Sequence, residues 1–229
     1  MKKYICIFLA SLTLLSGCGT MSKTAEGTLV GSGAGAIVGA TVGTIIGKDA
    51  KGAAIGAAIG TAIGAGTGAI IGHKMDQKAE ELAKALEEAE VETVEDVNGL
   101  EAIKVTFESG ILFPLNGITL NDASKEALKK FAGEMKDLPE TDLTIFGHTD
   151  NTGTAAVNER ISAQRADAVA SFLQSNGIDV SRITTEGKSF NEPIADNATA
   201  EGRAQNRRVE IFISANEKMI QQAEAGELE

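Results

Sequence analysis

The chain has 229 residues, a formal net charge of −11, two histidines, two cysteines and no tryptophan. That length accommodates one domain of ordinary size plus appendages. The acidic balance, which grows once Lys2 and Lys3 leave with a leader, argues against nucleic acid as a partner.

At the N-terminus, Lys2-Lys3 precede an apolar run, Tyr4 to Leu15, that is too short to span a bilayer. The following Leu15-Ser16-Gly17-Cys18 resembles the lipobox of bacterial lipoprotein signals. Residues 1–17 are therefore expected to be a signal peptide, and residues 18–26 the N-terminus of a mature chain lipidated at Cys18. An ordinary secretory signal with an incidental cysteine is the alternative. Cys6 would depart with the signal and Cys18 would be acylated, so no intrachain disulfide is expected. Gly19 is not the aspartate associated with inner-membrane retention. The resemblance thus implies anchoring in the inner leaflet of the outer membrane, with the C-terminal domain in the periplasm. Several acyl chains, at roughly 0.8 kcal/mol per buried CH₂, hold far better than one.

Residues 27–72 carry a four-residue glycine period. Glycines stand at 27, 31, 35, 39, 43 and 47 and again at 52, 56, 60, 64, 68 and 72, with Lys48-Asp49-Ala50-Lys51 between two uncharged runs. Each run resembles a glycine zipper, in which a stripe of small residues lets helix backbones approach closely. A flexible linker would carry Ser, Pro or charge between its glycines, whereas these gaps hold Ile37-Val38, Ile45-Ile46, Ile55, Ile59 and Ile70-Ile71. Six glycines at about 1 kcal/mol each disfavour a helix in water by roughly 6 kcal/mol per run against alanine. Close packing must offset that cost. A membrane-inserted helical hairpin, each arm about 31 Å long, is the expected form. A peripheral or oligomer-buried helical pair is the other. From 73 to 90 the composition turns to Ala, Glu, Lys and Leu, which reads as an exposed helical spacer, with Leu82 and Leu86 as a possible short dimer seam.

Residues 91–214 read as one α+β domain. Val91 to Val97 and Glu101 to Phe107 are predicted strands joined at Asn98-Gly99, a strong hairpin signal. A helix is predicted from about Asn121 to Lys136, with Leu128, Phe131 and Met135 inward and Asn121 or Asp122 as N-cap. A strand, Leu143 to Phe146, leads into Gly147-His148-Thr149-Asp150-Asn151-Thr152-Gly153, whose composition asks for a tight loop. The next helix, Ala155 to Asn176, places Asn158, Ser162 and Arg165 on one face at i, i+4 and i+7, and Gly177 follows as its cap. Strands Arg182 to Glu186 and Arg207 to Ser214 complete a mixed sheet covered by helices on one face. Strand parity groups Arg207 with Val209, Ile211 and Ile213, and turns Arg208 to a solvated face with Glu210 and Phe212. The last residues, 215–229, are polar and acidic and are expected to fray.

An acid, Asp150, and a base, Arg165, thus converge beside a helix start. A zwitterionic amino-acid end group needs one acceptor and one planar cationic donor. Asp150 can accept from its ammonium, Arg165 can fork onto its carboxylate, and Asn158 can orient either group. An Asp150–Arg165 salt bridge closing the turn, or Asp150 as a turn residue alone, would account for the same spacing.

The ordered set from Gly147 to Gly153, Asn158, Ser162, Arg165-Ala166 and Asn206-Arg207-Arg208-Val209-Glu210-Ile211 resembles the OmpA-like peptidoglycan-binding domain, over roughly the C-terminal half. The resemblance implies a β-α-β-α-β sandwich of mixed sheet and helices and non-covalent binding of the diaminopimelate residue of the stem peptide. It also implies a ligand role for Asp150, Asn158, Arg165 and Arg207. The family often carries acids where this chain has Pro114 and Asn116, so a third contact from 111–116 is in doubt.

No enzyme is expected. His148 has no second His or Cys with which to complete a zinc set, and no Gly-x-Ser-x-Gly elbow is present. No cofactor or metal is expected either. The reading is an outer-membrane lipoprotein that tethers the membrane to peptidoglycan, with a homo-oligomer through the zipper helices as a further partner relation. The alternative is an oligomeric zipper pore or envelope assembly, anchored to the wall by the same domain. A proton-driven stator would need a carboxylate within the zipper runs, and residues 27–47 and 52–72 have none.

Overall fold

The computed structural model describes residues 65–96, 98–108, 112–114 and 117–228. Cys18, the signal segment and the glycine runs up to residue 64 lie outside the described residues. The elements in chain order are helix α1 (Ala65–Ala85), strands β1 (Glu90–Glu95) and β2 (Glu101–Glu108), and helix α2 (Asp122–Lys136). Strand β3 (Thr141–His148), helix α3 (Ala155–Ser175) and strand β4 (Ile183–Ser189) follow. The described chain closes with helix α4 (Ala200–Asn206), strand β5 (Arg208–Ala215) and helix α5 (Glu217–Ala225).

The sheet has the order β1-β2-β5-β3-β4, antiparallel except for the parallel β3–β4 pair. It is therefore mixed, as the alternation of strands and helices predicts. Ile103, Val105 and Phe107, Leu143 and Ile145, and Val209, Ile211 and Ile213 share one face and form the core with Leu128, Phe131 and Met135 of α2 and Val169 and Leu173 of α3. Each such side chain contributes roughly 1.5–3 kcal/mol on burial. Glycines set how closely α3 lies on the sheet. A Cβ at Gly147 would stand 2.0 Å from the Ser162 carbonyl oxygen, and one at Gly187 would stand 2.6 Å from the Ala163 nitrogen.

Local signals place the element ends. The Asn121 side chain accepts from Ser124 N–H at the start of α2, Thr154 caps α3, and Gly177 takes φ +94 just past its end. The β1–β2 connection is wider than a two-residue turn. Asp96 N–H donates to the Leu100 carbonyl, and the Asp96 carboxylate accepts from the amides of Asn98 and Leu100. β1 accordingly stops at Glu95, two residues before its predicted end.

Two expectations are corrected. Residues 73–90 are not an exposed spacer, because α1 runs unbroken from Ala65 to Ala85 and buries Ile71, Met75, Ala79 and Leu82, with Leu86 just beyond, in the core of the domain. The stripe recurs every three or four residues, and it lies along β1, β2 and α5. Lys78 reinforces it with ion pairs to Glu81 at 2.6 Å and to Glu134 of α2 at 3.0 Å. The last two glycines of the zipper period belong to this helix and face the β1–β2 hairpin: a Cβ at Gly72 would stand 2.2 Å from Glu101 Oε2. Nor does the C-terminus fray after Ala215. Asn216 accepts from the amides of Lys218 and Met219, capping α5, which buries Met219, Ile220 and Ala223. Among the described residues, no helix is long and apolar enough to cross a membrane.

Candidate functional site

The turn between β3 and α3 is folded around Asp150. Its Oδ1 accepts from the backbone N–H of Thr152 at 2.9 Å and from the Thr152 hydroxyl, an Asx-type turn. Gly153 then takes φ +88, a left-handed conformation that favours glycine, before Thr154 caps the helix. Asn158, in the first turns of α3, donates from Nδ2 to the Thr152 carbonyl at 2.9 Å and so ties the turn to the helix.

Asp150 Oδ2 is paired with Arg207 Nη1 at 2.5 Å. The spacing-based alternative of an Asp150–Arg165 bridge is therefore not what the structure shows. Asp150 is 5% exposed, while the Arg207 side chain is 33% exposed and lies on the outer side of the pair. Burial pushes the Asp150 carboxyl upward, but the Thr152 hydroxyl, Arg207 and the Thr152 amide outweigh it and hold the group below the usual carboxylate range.

Arg165 is buried one residue before Ala166 of the helix face. Its Nε donates to the Gly117 carbonyl at 3.1 Å and its guanidinium carbon stands 5.3 Å from the centre of the Phe113 ring. Burial, then the nearby charge of Arg207, lowers its pKa, and Asp150 opposes them. The three charges thus feel one another, with two guanidinium groups close to one carboxylate. Ser162, on the same helix face, serves packing: its hydroxyl accepts from Ser189 N–H at 3.1 Å and donates to the Glu159 carbonyl at 2.9 Å.

Asp150, Asn158, Arg165 and Arg207, drawn from three separate stretches of sequence, are brought to one place. Phe113, Gly117 and Thr152 were missed as members of the site. Phe113 lies within, and Gly117 directly after, the segment 111–116 whose departure from the family pattern had put a contact in doubt, and Asn116 itself lies outside the described residues. Strand parity turned Arg207 toward the helix of Arg165, where it stands, though on a wrong premise, and was misleading for Arg208. Arg207 is the C-cap of α4, with φ −80 and ψ 95, rather than a strand residue. Arg208 is 2% exposed rather than solvated. Its Nε donates to Glu210 Oε1 at 2.7 Å and Nη2 to the Glu192 carbonyl at 3.1 Å, because the loop after β4 covers this part of the outer face. Phe146 is buried on that outer face too, edge-on to Phe212 at 5.4 Å, instead of joining the main core.

The site thus brings together an acid turn paired with Arg207, just ahead of β5, and the helix-borne Arg165 close to both charges. Residues 112–207 match the OmpA family model, and residues 1–76 match the YMGG-like Gly-zipper model, which ends inside α1. Residues 112–207 form an OmpA-family domain. It is 45% identical over 112 residues to the probable lipoprotein YiaD of Escherichia coli, a match that covers 49% of this chain and 51% of that protein. It is 43% identical over 113 residues to the peptidoglycan-binding protein ArfA of Mycobacterium tuberculosis, covering 49% of this chain and 35% of that one. The chain therefore spans about half the length, or less, of these curated relatives. A solved structure described as the cell wall anchor of the T6SS from Pseudomonas aeruginosa is 32% identical, with a TM-score of 0.52. That match covers 62% of this chain and 97% of that one.

Proposed function

We propose that this chain is an envelope lipoprotein that binds peptidoglycan non-covalently through the Asp150 pocket and tethers the outer membrane to the wall. The observation that carries the reading is the charge arrangement: a nearly buried carboxylate paired with Arg207 and within the field of Arg165. A diaminopimelate end group presents an ammonium and a carboxylate on one carbon. Its ammonium takes the place of Arg207 at Asp150, and its carboxylate receives the two guanidinium groups. Asn158 keeps the Asp150 turn in register with the helix that carries Arg165. Arg207, the more exposed partner, is the one that swings. The names of ArfA and of the cell wall anchor support the ligand class.

The test is co-sedimentation of the full-length chain, in detergent micelles, with purified peptidoglycan. The chain is expected to pellet with the wall and to be released by millimolar free diaminopimelate, but not by a monoamine or a monocarboxylate. Release by any salt at equal ionic strength would replace a shaped zwitterion site by general electrostatics.

The anchor half of the proposal rests on Cys18 and on the resemblance of residues 15–18 to a lipobox. Metabolic labelling with a palmitate analogue should mark the wild-type chain and leave Cys18→Ala unlabelled and displaced from the outer-membrane fraction. A wild-type chain that takes up no lipid removes this half. The Gly-zipper match over residues 1–76 favours a second reading, an oligomeric pore or assembly that the wall-binding domain anchors. Ion leak from vesicles carrying the chain would select it over a simple tether.

A further inference from the structure

Resting on the reading of the Asp150 pocket as a ligand site, we propose that Asn197 is a positioning residue for it: its side-chain carbonyl is the middle atom of a relay that holds both members of the Asp150–Arg207 pair. The relay starts at Asn206, which is fully buried. Asn206 Oδ1 accepts from the amides of Ile194 and Ala195 at 2.8 and 2.9 Å. Its Nδ2 donates to the Ala195 carbonyl at 2.8 Å and to Asn197 Oδ1 at 2.9 Å. The full capacity of one amide is used. Asn197 Oδ1 accepts a second bond, from Asn151 N–H at 3.3 Å, across 46 residues of sequence.

The ends of this relay are adjacent in the chain to the two charges. Asn206 precedes Arg207, and Asn151 follows Asp150. A shift at Asn197 therefore moves the acid relative to the base. The loop itself is held by other bonds: Arg203 Nη1 donates to the carbonyls of Asn197 and Ala198 at 2.9 and 3.1 Å, and Asp196 Oδ1 accepts from Ala198 N–H at 2.9 Å. Those fix the backbone of residues 196–198 without reaching the Asp150 turn. Among the described residues, the Asn197 side chain is what joins the loop to it by a hydrogen bond.

Only the acceptor oxygen of Asn197 is needed, so two near-isosteric variants separate positioning from packing. Asn197→Leu removes the acceptor, and Asn197→Asp keeps it. In full-length chain, Asn197→Leu is expected to weaken sedimentation with peptidoglycan about three- to tenfold, the worth of a typical net hydrogen bond. Exchange of the Asn151 amide proton should speed up in the same variant. Asn197→Asp should bind within about twofold of wild type and keep the Asn151 amide protected. Asn206→Asp, which loses both donors, should behave like Asn197→Leu. Full binding by Asn197→Leu beside lost binding by Asp150→Asn overturns the positioning role and leaves the site standing. Equal loss in Asn197→Leu and Asn197→Asp shows packing of the loop instead of an acceptor, which also overturns it. If wild type does not sediment, the ligand reading falls and the positioning role falls with it, whatever the exchange shows.

Discussion

Asp150→Asn is expected to lower affinity for peptidoglycan about ten- to hundredfold, because a charge-assisted hydrogen bond is worth about 1.5 to 3 kcal/mol. The substitution is nearly isosteric. An asparagine keeps an oxygen for the Thr152 amide and hydroxyl, so the turn has reason to persist, and what disappears is the charge that Arg207 and the ligand ammonium share. Arg165→Ala should lose as much or more, for a mixed cause. It removes the guanidinium and also leaves the Gly117 carbonyl without that donor and the Phe113 ring uncovered, so its melting temperature should fall as well. The pH dependence has a definite sign. The folded pKa of Asp150 lies below its ordinary 3.8. Its contribution to stability is therefore present above the unfolded value and is lost as pH falls through the lowered one. Binding by wild type should accordingly hold through mildly acidic pH and weaken only below that range. The weak residual binding of Asp150→Asn should show no such step. A folded Asp150→Asn chain that sediments fully would sink the ligand role.

The parts of the molecule that were legible in its sequence are those decided locally. Asn121 caps its helix with its own side chain, and Gly177 takes the positive φ that a helix end requires. The placement of Asn158 and Arg165 on one buried face follows from helical period alone. Parity turned Arg207 to the side where it stands, but without warrant, because alternation holds only inside a strand and that residue ends a helix one position before the strand begins. The burial of Arg208 depends on Glu192 and the loop after β4, sixteen residues upstream. Helix α1 shows a related limit. Its stripe of Ile71, Met75, Ala79 and Leu82 is visible, but an Ala-, Glu- and Lys-rich helix carries no sign of what it packs on. The partner surface, β1, β2 and α5, is supplied entirely by later sequence. Phe113 and Gly117 carried no motif, since one contributes a ring face and the other a backbone carbonyl.

Arg208→Ala is expected to destabilise the folded chain by about 3 to 5 kcal/mol, the range for breaking a buried ion pair by removing one partner. Glu210 would remain buried with a carboxylate that Arg208 had held at 2.7 Å, and the Glu192 and Asn206 carbonyls would each lose a donor. His148 stays as the weaker partner. Its Nε2 stands 3.5 Å from Glu210 Oε2, and neither ring nitrogen makes a hydrogen bond. In wild type, burial raises the Glu210 pKa, but His148 and Arg208 outweigh it and bring the group from 4.5 down to about 2. A depressed carboxylate stabilises the fold above the unfolded pKa, and that contribution is lost between about pH 4.5 and 2. Removing Arg208 takes away part of what lowers the folded pKa against burial, so acid protonates Glu210 at a higher pH than in wild type and relieves the variant of its poorly paired charge. The stability gap between wild type and Arg208→Ala should therefore be widest near neutral pH and should narrow as pH falls through that window. Denaturant unfolding at pH 7 and near pH 3 measures it directly. A gap below about 1 kcal/mol, or one that does not change with pH, would mean that the pair is not what holds this face. Well below its melting temperature Arg208→Ala should also bind peptidoglycan better than Arg207→Ala, because Arg208 props the covering loop from beneath whereas Arg207 meets Asp150. Equal binding losses in the two variants, with both chains folded, would show that positive charge in general draws the wall to this domain.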